Sequence, residues 1–575
     1  MPLSGKQKSH IFKQRLVVNA IPSHFLALGI FAFALIVKLA VLANYAHSPF
    51  FHGLLWDSDN YFSWAKRIMA GDLIGIKIFH QPPLYPYFLA LVMKIAGVHI
   101  TAIYVCQIII GAFSVVLIFL IGKQCHGELA GIVSSAFAIA CGLLAFYDLK
   151  ILSESLSILI ELITAWLLLK NSTLWRILAG FSLGLLIICK PQFLMLIPCI
   201  VWLIFRTDGG KKIFKSILFT LSASIIILPV TIRNYFVEHD IVLVSSNGGE
   251  NFYIGNHQGA DGLYNHMPGV SQDIIYQDED IRTAAQKAAG KTLNRSEVSG
   301  YWFHKALHEI REDPLKYFGL QMSKIRFLLS GIEHSSMYYM SFEQKHFSHW
   351  LRFLFVNFYL LFPLFAAGFV SSWKRKSCFL IVYAFIVINI ANILIFFYDT
   401  RFMLLALPFC ILFSGIGGIE IAHAYANRNI KGSWRSPLSI SFLIGVCFSI
   451  GIYFCERKTE APQGAMYGAL GEIYYQNNQF DSALKAFTMA SSIDKNDWVF
   501  AFDVAKVAFK KGYKKIGADL YRDAFPNINS DFRRDILRDQ DLDSLRNYIE
   551  MEDNSTTKDS SSLQSFPVGF NKPHP

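Results

Sequence analysis

Asp57, Asp59 and Tyr61 fall within five positions of one another in the stretch WDSDNYFSWAKRIMAGD, just after the first apolar run of membrane length. A carboxylate placed there can take a proton from a hydroxyl, or at a helix start it can satisfy free backbone amides. Asp57 and Tyr61 are four apart and share a helical face, which Trp64, Ala65 and Ile68 extend as an apolar stripe suited to the bilayer surface. Capping accounts for Asp59, with a catalytic role as the alternative. A second acidic position stands in YDLKILSESL, where Glu154 begins a span and Asp148 is the alternative to it. Single cations stand at otherwise apolar ends: Lys190 in CKPQ, Arg233 in TIRNY and Arg401 in YDTRF. A charge at the edge of a span is costly, so each of these either serves a site or snorkels to lipid headgroups.

The elements that must position these residues are membrane spans. Of 575 residues 53% are apolar, 15% aromatic and 17% charged, and the mean hydropathy is +0.37. That is too apolar and too long for one soluble core. The net charge of +11 gathers in short clusters between apolar runs, a pattern that orients helices and argues against nucleic acid. Runs of about 20 residues fall at 23–45, 101–122, 128–147, 151–169, 214–231, 350–371, 378–397, 401–421 and 437–455. The stretch 176–205 is broken at KPQ, where Pro191 disfavours helix at Lys190, and two short helices there bring the expected count to about eleven. The fold class expected is an all-α integral membrane protein.

Basic clusters belong on the cytoplasmic side. With eleven spans, the N-terminal Lys6, Lys8, Lys13 and Arg15, then RTDGGKKIFK, SSWKRKS and NRNIKGSWR, all fall on one side. The expected organisation is a cytoplasmic segment 1–21, a membrane domain 22–455 with a first outer loop 46–100 and a large outer loop 233–348, and a tail after it. Lys66, Arg67 and Lys77 are discordant, lying in the first outer loop. The large loop has eleven Lys and Arg against fourteen Asp and Glu, so nucleic acid is excluded there too.

In the tail, Leu470, Gly471, Tyr474, Ala483, Phe487 and Ala490 stand at the offsets of a tetratricopeptide repeat, and Ala505, Ala508, Ala518, Tyr521 and Ala524 follow about one period later. Helical pairs are expected over 463–549, either binding a protein partner or capping the membrane domain. Residues 550–575 are Ser- and Pro-rich and expected to be disordered. The nine cysteines include no CxxC pair, and no His/Cys cluster has metal-ligand spacing. In SSNGGENFYIGNHQGADG, Asn247, Asn251 and Asn256 suit a turn that also lines a site.

WDSDNYFSWAKRIMAGD with HQPPLYPYFLALVMKIAG, YDLKILSESL, CKPQFLMLIP, LPVTIRNYFVEHDIVLVSSNGGENFYIGN and YDTRFMLLALPF, in that order, resembles the polyprenyl-phosphate-sugar-dependent glycosyltransferases with the GT-C fold. These include protein mannosyltransferases and aminoarabinose transferases, and the resemblance spans about 22–455. It implies transfer of a sugar from a polyprenyl-phosphate donor to a hydroxyl of a glycan, lipid or protein at the outer membrane surface, here expected in a bacterial inner membrane with the site facing the periplasm. It places the general base on Asp57 and the second acid on Glu154. Lys190, Arg233 and Arg401 are the implied phosphate cations, and Tyr61, Asn234 and Asn256 the implied substrate contacts. Relatives carry an acid and a lysine before the paired prolines. This chain has His80 and Gln81, so a charged His80 is a further phosphate candidate. The mannosyltransferase branch needs no cofactor, whereas oligosaccharyltransferases of similar architecture use a divalent cation, so a metal stays open. A transporter would share many spans but should repeat them internally, which this chain does not. A scaffold recruiting partners through the tail explains 463–549 but not Asp57 and Glu154.

Overall fold

The computed structural model describes residues 22–267, 269–271, 274–373, 378–426, 437–456, 462–495, 497–528 and 530–555. The expected cytoplasmic segment 1–21, most of the expected disordered tail, most of the cluster SSWKRKS and all of NRNIKGSWR lie outside the described residues. Among the described residues every regular element is helical, with one isolated antiparallel bridge between Cys141 and Phe355.

Among the described residues six helices are long and apolar enough to cross a membrane: Ser23–Tyr45, Ile100–His126, Lys212–Glu238, Cys378–Ile395, Thr400–Ala426 and Pro437–Phe454. Five shorter apolar helices accompany them: Leu84–Ala96, Glu128–Ile139, Thr173–Cys189, Pro191–Thr207 and Phe358–Ser372. The protein is a multi-pass membrane protein. Thr400–Ala426 is the most enclosed of the six and packs on Phe358–Ser372, Glu128–Ile139 and Cys378–Ile395.

The break at KPQ forms as the proline requires. The helix Thr173–Cys189 stops, Lys190 is extended at φ −145°, and a 3₁₀ turn Pro191–Met195 leads into Leu196–Thr207. Several expected spans are shorter than their apolar runs, among them 151–169, which forms the 15-residue helix Glu154–Leu168. Residues 128–147 divide into Glu128–Ile139 and Gly142–Tyr147. The run 350–371 opens in a 3₁₀ turn, His349–Phe353, and becomes α-helix only at Phe358, where the Asn357 side chain accepts the Leu360 amide and so caps the helix. A Cβ at Gly131 would fall on the Phe119 carbonyl, so only glycine allows the Glu128–Ile139 helix to lie this close to Ile100–His126.

Several charges inside the bundle are paired, while buried Glu161 is held by the Asn389 amide at 2.7 Å. Lys38 pairs with Asp148, which also accepts from the Ser155 hydroxyl at 2.6 Å. Lys150 meets Glu343 at 2.6 Å, and Arg176 meets Asp208 at 2.6 Å. Asp148, the alternative second acid, is thereby engaged with the first span.

The tail consists of the helices Gln463–Gln476, Phe480–Ile493, Trp498–Lys510, Lys514–Ala524, Ser530–Arg538 and Asp543–Ser555. A Cβ at Gly471 would meet the Phe487 ring at 2.6 Å, so the first two helices approach closely. Ala483, Ala490, Ala505, Ala518 and Ala524 are buried between helices. The tail rests on the face that carries Asp57. Tyr467 packs edge-on to Phe342 with ring centroids 5.3 Å apart, Ile473 fills the space beside Gly53, and Arg538 pairs with Asp280 at 3.1 Å.

Candidate functional site

Trp56 immediately precedes Asp57 with φ 53°, a sign that side-chain-bearing residues adopt only under constraint. Its ring lies edge-on to Tyr338 at 5.5 Å. The turn sets Asp57 as the first residue of the helix Asp57–Met69, where the helix dipole favours a carboxylate. Asp57 is 9% exposed. One of its oxygens, Oδ2, accepts from Arg401 Nη1 at 2.8 Å, and the other, Oδ1, from Gln81 Nε2 at 2.9 Å. Gln81 is itself oriented, accepting from Asn60 Nδ2 at 2.8 Å. Asp399, two residues before Arg401, accepts the Arg401 amide at 3.0 Å and the Ser336 hydroxyl at 2.6 Å.

A second ion pair stands beside the first. Glu154, 1% exposed, accepts from Lys190 Nζ at 2.8 Å, and the extended backbone of Lys190 at the KPQ break frees its side chain to reach across. Glu154 acts electrostatically on both Tyr61 and Arg401. Tyr61 lies edge-on to Tyr85 at 5.2 Å. Burial, and after it the charges of Asp57 and Glu154, hold its phenol well above the usual range. One buried polar atom here, Oε2 of Glu154, has no hydrogen-bond partner, and Nε of Arg401 has only the Asp399 carboxylate, 3.5 Å away. Buried groups are rarely left so. The unspent acceptor of Glu154 beside the cations Lys190 and Arg401 makes a site able to bind a group carrying both hydroxyls and negative charge.

His80 forms a neighbouring cluster. Its Nε2 is 3.1 Å from Glu250 and its Nδ1 3.3 Å from Asp278, which also holds Arg295 at 2.6 Å. Burial alone would lower the imidazole, but Glu250 and Asp278 outweigh it and raise His80 to about 10. Asp278, which burial would raise, is lowered to about 2 by His80 and Arg295. Tyr264 lies within electrostatic reach of Asp57, Arg401 and Glu250, and so links the clusters.

The fold thus gathers Asp57, Tyr61, Glu154, Lys190 and Arg401, with His80 alongside. It does not bring the other expected residues in. Asp59 does not cap: the helix begins at Asp57, so Asp59 lies inside the first turn, on the exposed side. Arg233 donates from Nε to the Ile74 carbonyl at 2.7 Å and covers the Phe79 ring at 3.7 Å. Asn234 holds the Val242 and Val244 carbonyls. Asn256 donates to the Ile395 carbonyl and accepts from Lys324 at 3.0 Å, tying the large loop to the segment that leads into Asp399. Asp399 and Tyr264 were not singled out from sequence, and Gln81 was noted only as a departure from the lysine of relatives. Asp399 carried a signal, an acid two positions before a lone cation at the mouth of a span. Both site carboxylates face a cation, and among the described residues no group of three or more His, Cys, Asp and Glu could hold a metal ion. The divalent cation left open by sequence finds no ligand set there.

Residues 80–235 match the family model described as dolichyl-phosphate-mannose-protein mannosyltransferase. That segment carries His80, Glu154, Lys190, Arg233 and Asn234, while Asp57 and Arg401 lie outside it. No curated protein matches the chain. Among solved structures, the archaeal oligosaccharyltransferase AglB from Archaeoglobus fulgidus, in complex with an inhibitory peptide and a dolichol-phosphate, aligns at 10% identity and TM-score 0.40, covering 80% of this chain and 60% of that one. ArnT from Cupriavidus metallidurans, bound to undecaprenyl phosphate, aligns at 11% identity and TM-score 0.34, covering 75% of this chain and 88% of that one. At these values neither likeness assigns a function.

Proposed function

We propose, taking the mannosyltransferase-type segment 80–235 as premise, that the chain is an inverting glycosyltransferase moving a sugar from a polyprenyl-phosphate donor to a hydroxyl acceptor at the outer face of the membrane. The observation that carries the reading is the paired arrangement Asp57–Arg401 and Glu154–Lys190 around Tyr61. A hydroxyl is a poor nucleophile at neutral pH, and Asp57 is the base that takes its proton. The acceptor oxygen then attacks the anomeric carbon from the face opposite the phosphate, the carbon–phosphate-oxygen bond breaks, and configuration inverts. The leaving polyprenyl phosphate gathers negative charge, which Arg401 and Lys190 meet as cations already in place. An arriving phosphate competes with Asp57 for Arg401, which frees the carboxylate for its proton. Gln81 holds Asp57 through the change, Glu154 orients the acceptor through its unpaired oxygen, and charged His80 adds to the field at the donor.

The acceptor is a glycan, a lipid or a protein, and the membrane is a bacterial inner membrane with the site in the periplasm. The tail, read as tetratricopeptide-like repeats over 463–549, serves first as a cap on the membrane domain, in keeping with its contacts at Gly53, Phe342 and Asp280. The test is a panel of polyprenyl-monophosphate sugars offered to the purified protein with a range of acceptors, with mass detection of freed polyprenyl phosphate. Release from one of them supports the reading. No release from any contradicts it.

A further inference from the structure

Lys66, Arg67 and Lys77 lie on the face where a basic cluster is not expected, and the site does not use them. All three are exposed. The turn between them exposes Leu73, Ile74 and Ile76 at 60%, 64% and 87%. Three large apolar side chains presented within four residues would be unfavourable in water. The turn is nonetheless well formed. Asp72 accepts the Gly75 amide at 2.9 Å, and Gly75 supplies the φ of 70° that closes it.

Its anchor fixes its depth. Arg233, near the C-terminal end of the span Lys212–Glu238, donates to the Ile74 carbonyl. The same helix exposes Leu228, Ile232 and, at 73%, Phe236, a row facing lipid. The 73–76 turn therefore continues the lipid-facing surface where the span leaves the hydrocarbon. Counter-charges are few. Asp59 acts on Lys66, the charge of Asp72 acts on Arg233 while its Oδ1 accepts the Gly75 amide, and Glu238, which accepts the Ile78 amide, faces Arg295 at 3.6 Å. Arg67 and Lys77 form no ion pair among the described residues.

From this placement we infer that residues 66–77 form a binding site for anionic phospholipid headgroups of the bilayer leaflet on the Asp57 face. Leu73, Ile74 and Ile76 enter the acyl boundary, and Lys66, Arg67 and Lys77 lie at headgroup level, where cations attract anionic lipid. The basic cluster thus serves lipid recognition instead of topology. The site stands apart from the proposed transfer reaction, and its test needs no activity.

The full-length protein is placed in nanodiscs of phosphatidylcholine alone or with about 30% phosphatidylglycerol, and amide hydrogen exchange of residues 72–77 is followed. The expected result is exchange about tenfold slower in the anionic disc. That difference should vanish in Lys66→Gln/Arg67→Gln/Lys77→Gln, while Ile74→Ser/Ile76→Ser should lose protection in both discs. Native mass spectrometry should show phosphatidylglycerol retained by the parent over the Gln variant. Equal exchange in the two discs, a difference that survives in the Gln variant, or protection unchanged in the Ser variant overturns the inference.

Discussion

Arg401 and Asp57, 344 residues apart in the chain, meet through a 2.8 Å hydrogen bond between Nη1 and Oδ2, both side chains only about one-seventh exposed (14% and 13%). Asp399 Oδ2 also lies 3.5 Å from Arg401 Nε, so removing Arg401 leaves two enclosed carboxylates without their cation, at a cost of about 3–5 kcal/mol. Arg401→Gln should therefore lower the thermal midpoint in detergent and reduce transfer by about a hundredfold or more, since the variant also loses a phosphate cation. Arg401→Lys keeps the charge without the planar fork and should recover stability more than rate. Parallel calorimetry and polyprenyl-phosphate release separate the two effects.

Glu154 and Lys190 permit a cleaner separation. Lys190→Met strands a carboxylate that is 1% exposed and should destabilise by about 3–5 kcal/mol. The double variant Lys190→Met/Glu154→Leu removes both charges and should unfold closer to the parent than either single variant. Additive losses in the double-mutant cycle would show that the two groups do not act as a pair. All three variants should lose transfer.

His80 sets a pH dependence. Its folded value of about 10 lies above the ordinary 6.5, so its stabilising contribution is full below pH 6.5 and declines as pH rises toward 10. The gap in thermal midpoint between the parent and His80→Gln should be widest below pH 6.5 and close between 6.5 and 10. Asp278, at about 2 against 3.8, acts oppositely, with its contribution present above about pH 4 and lost toward pH 2. A gap that widens with rising pH through neutrality would contradict the Glu250–His80–Asp278 arrangement.

Chelation tests the donor set. Both site carboxylates face cations, and the phosphate cations are side chains, so EDTA treatment should leave the rate within about twofold. Loss of activity restored by one divalent ion would place a metal role on residues other than the two ion pairs.

Much of the architecture was legible because it rests on local physics. Apolar runs of spanning length became helices, and Pro191 broke one where its missing amide and its effect on Lys190 required. The shared helical face of Asp57 and Tyr61 was legible from their spacing, whereas the role given to Asp57 came from the resemblance. Boundaries were less so. Asn357 caps the helix seven residues into the apolar run that begins at 350, and apolar content alone carries no record of a cap. The partners of charges were least legible. Nothing near Arg401 in sequence points to Asp57, nor anything near Lys38 to Asp148, because such pairs form between segments far apart in the chain. The cost of burying a lone charge says that a partner exists without saying which. Arg233 and Asn234 show the converse. Their isolation in sequence resembles that of Arg401, yet the fold spends them on backbone carbonyls.

The most direct test of the account is the rate of polyprenyl-phosphate release by Asp57→Asn, measured beside its thermal midpoint and its affinity for the donor. Asn keeps the side chain's shape and can still accept from Gln81, but its amide NH2 replaces the oxygen that held Arg401 and it cannot take a proton, so the cost of the lost ion pair is read from the thermal midpoint. The account predicts a fall of about a hundredfold or more, the range expected for loss of a general base, with the variant still folded and still binding donor. A folded variant that releases polyprenyl phosphate at the parent's rate would contradict the assignment of Asp57 as the base.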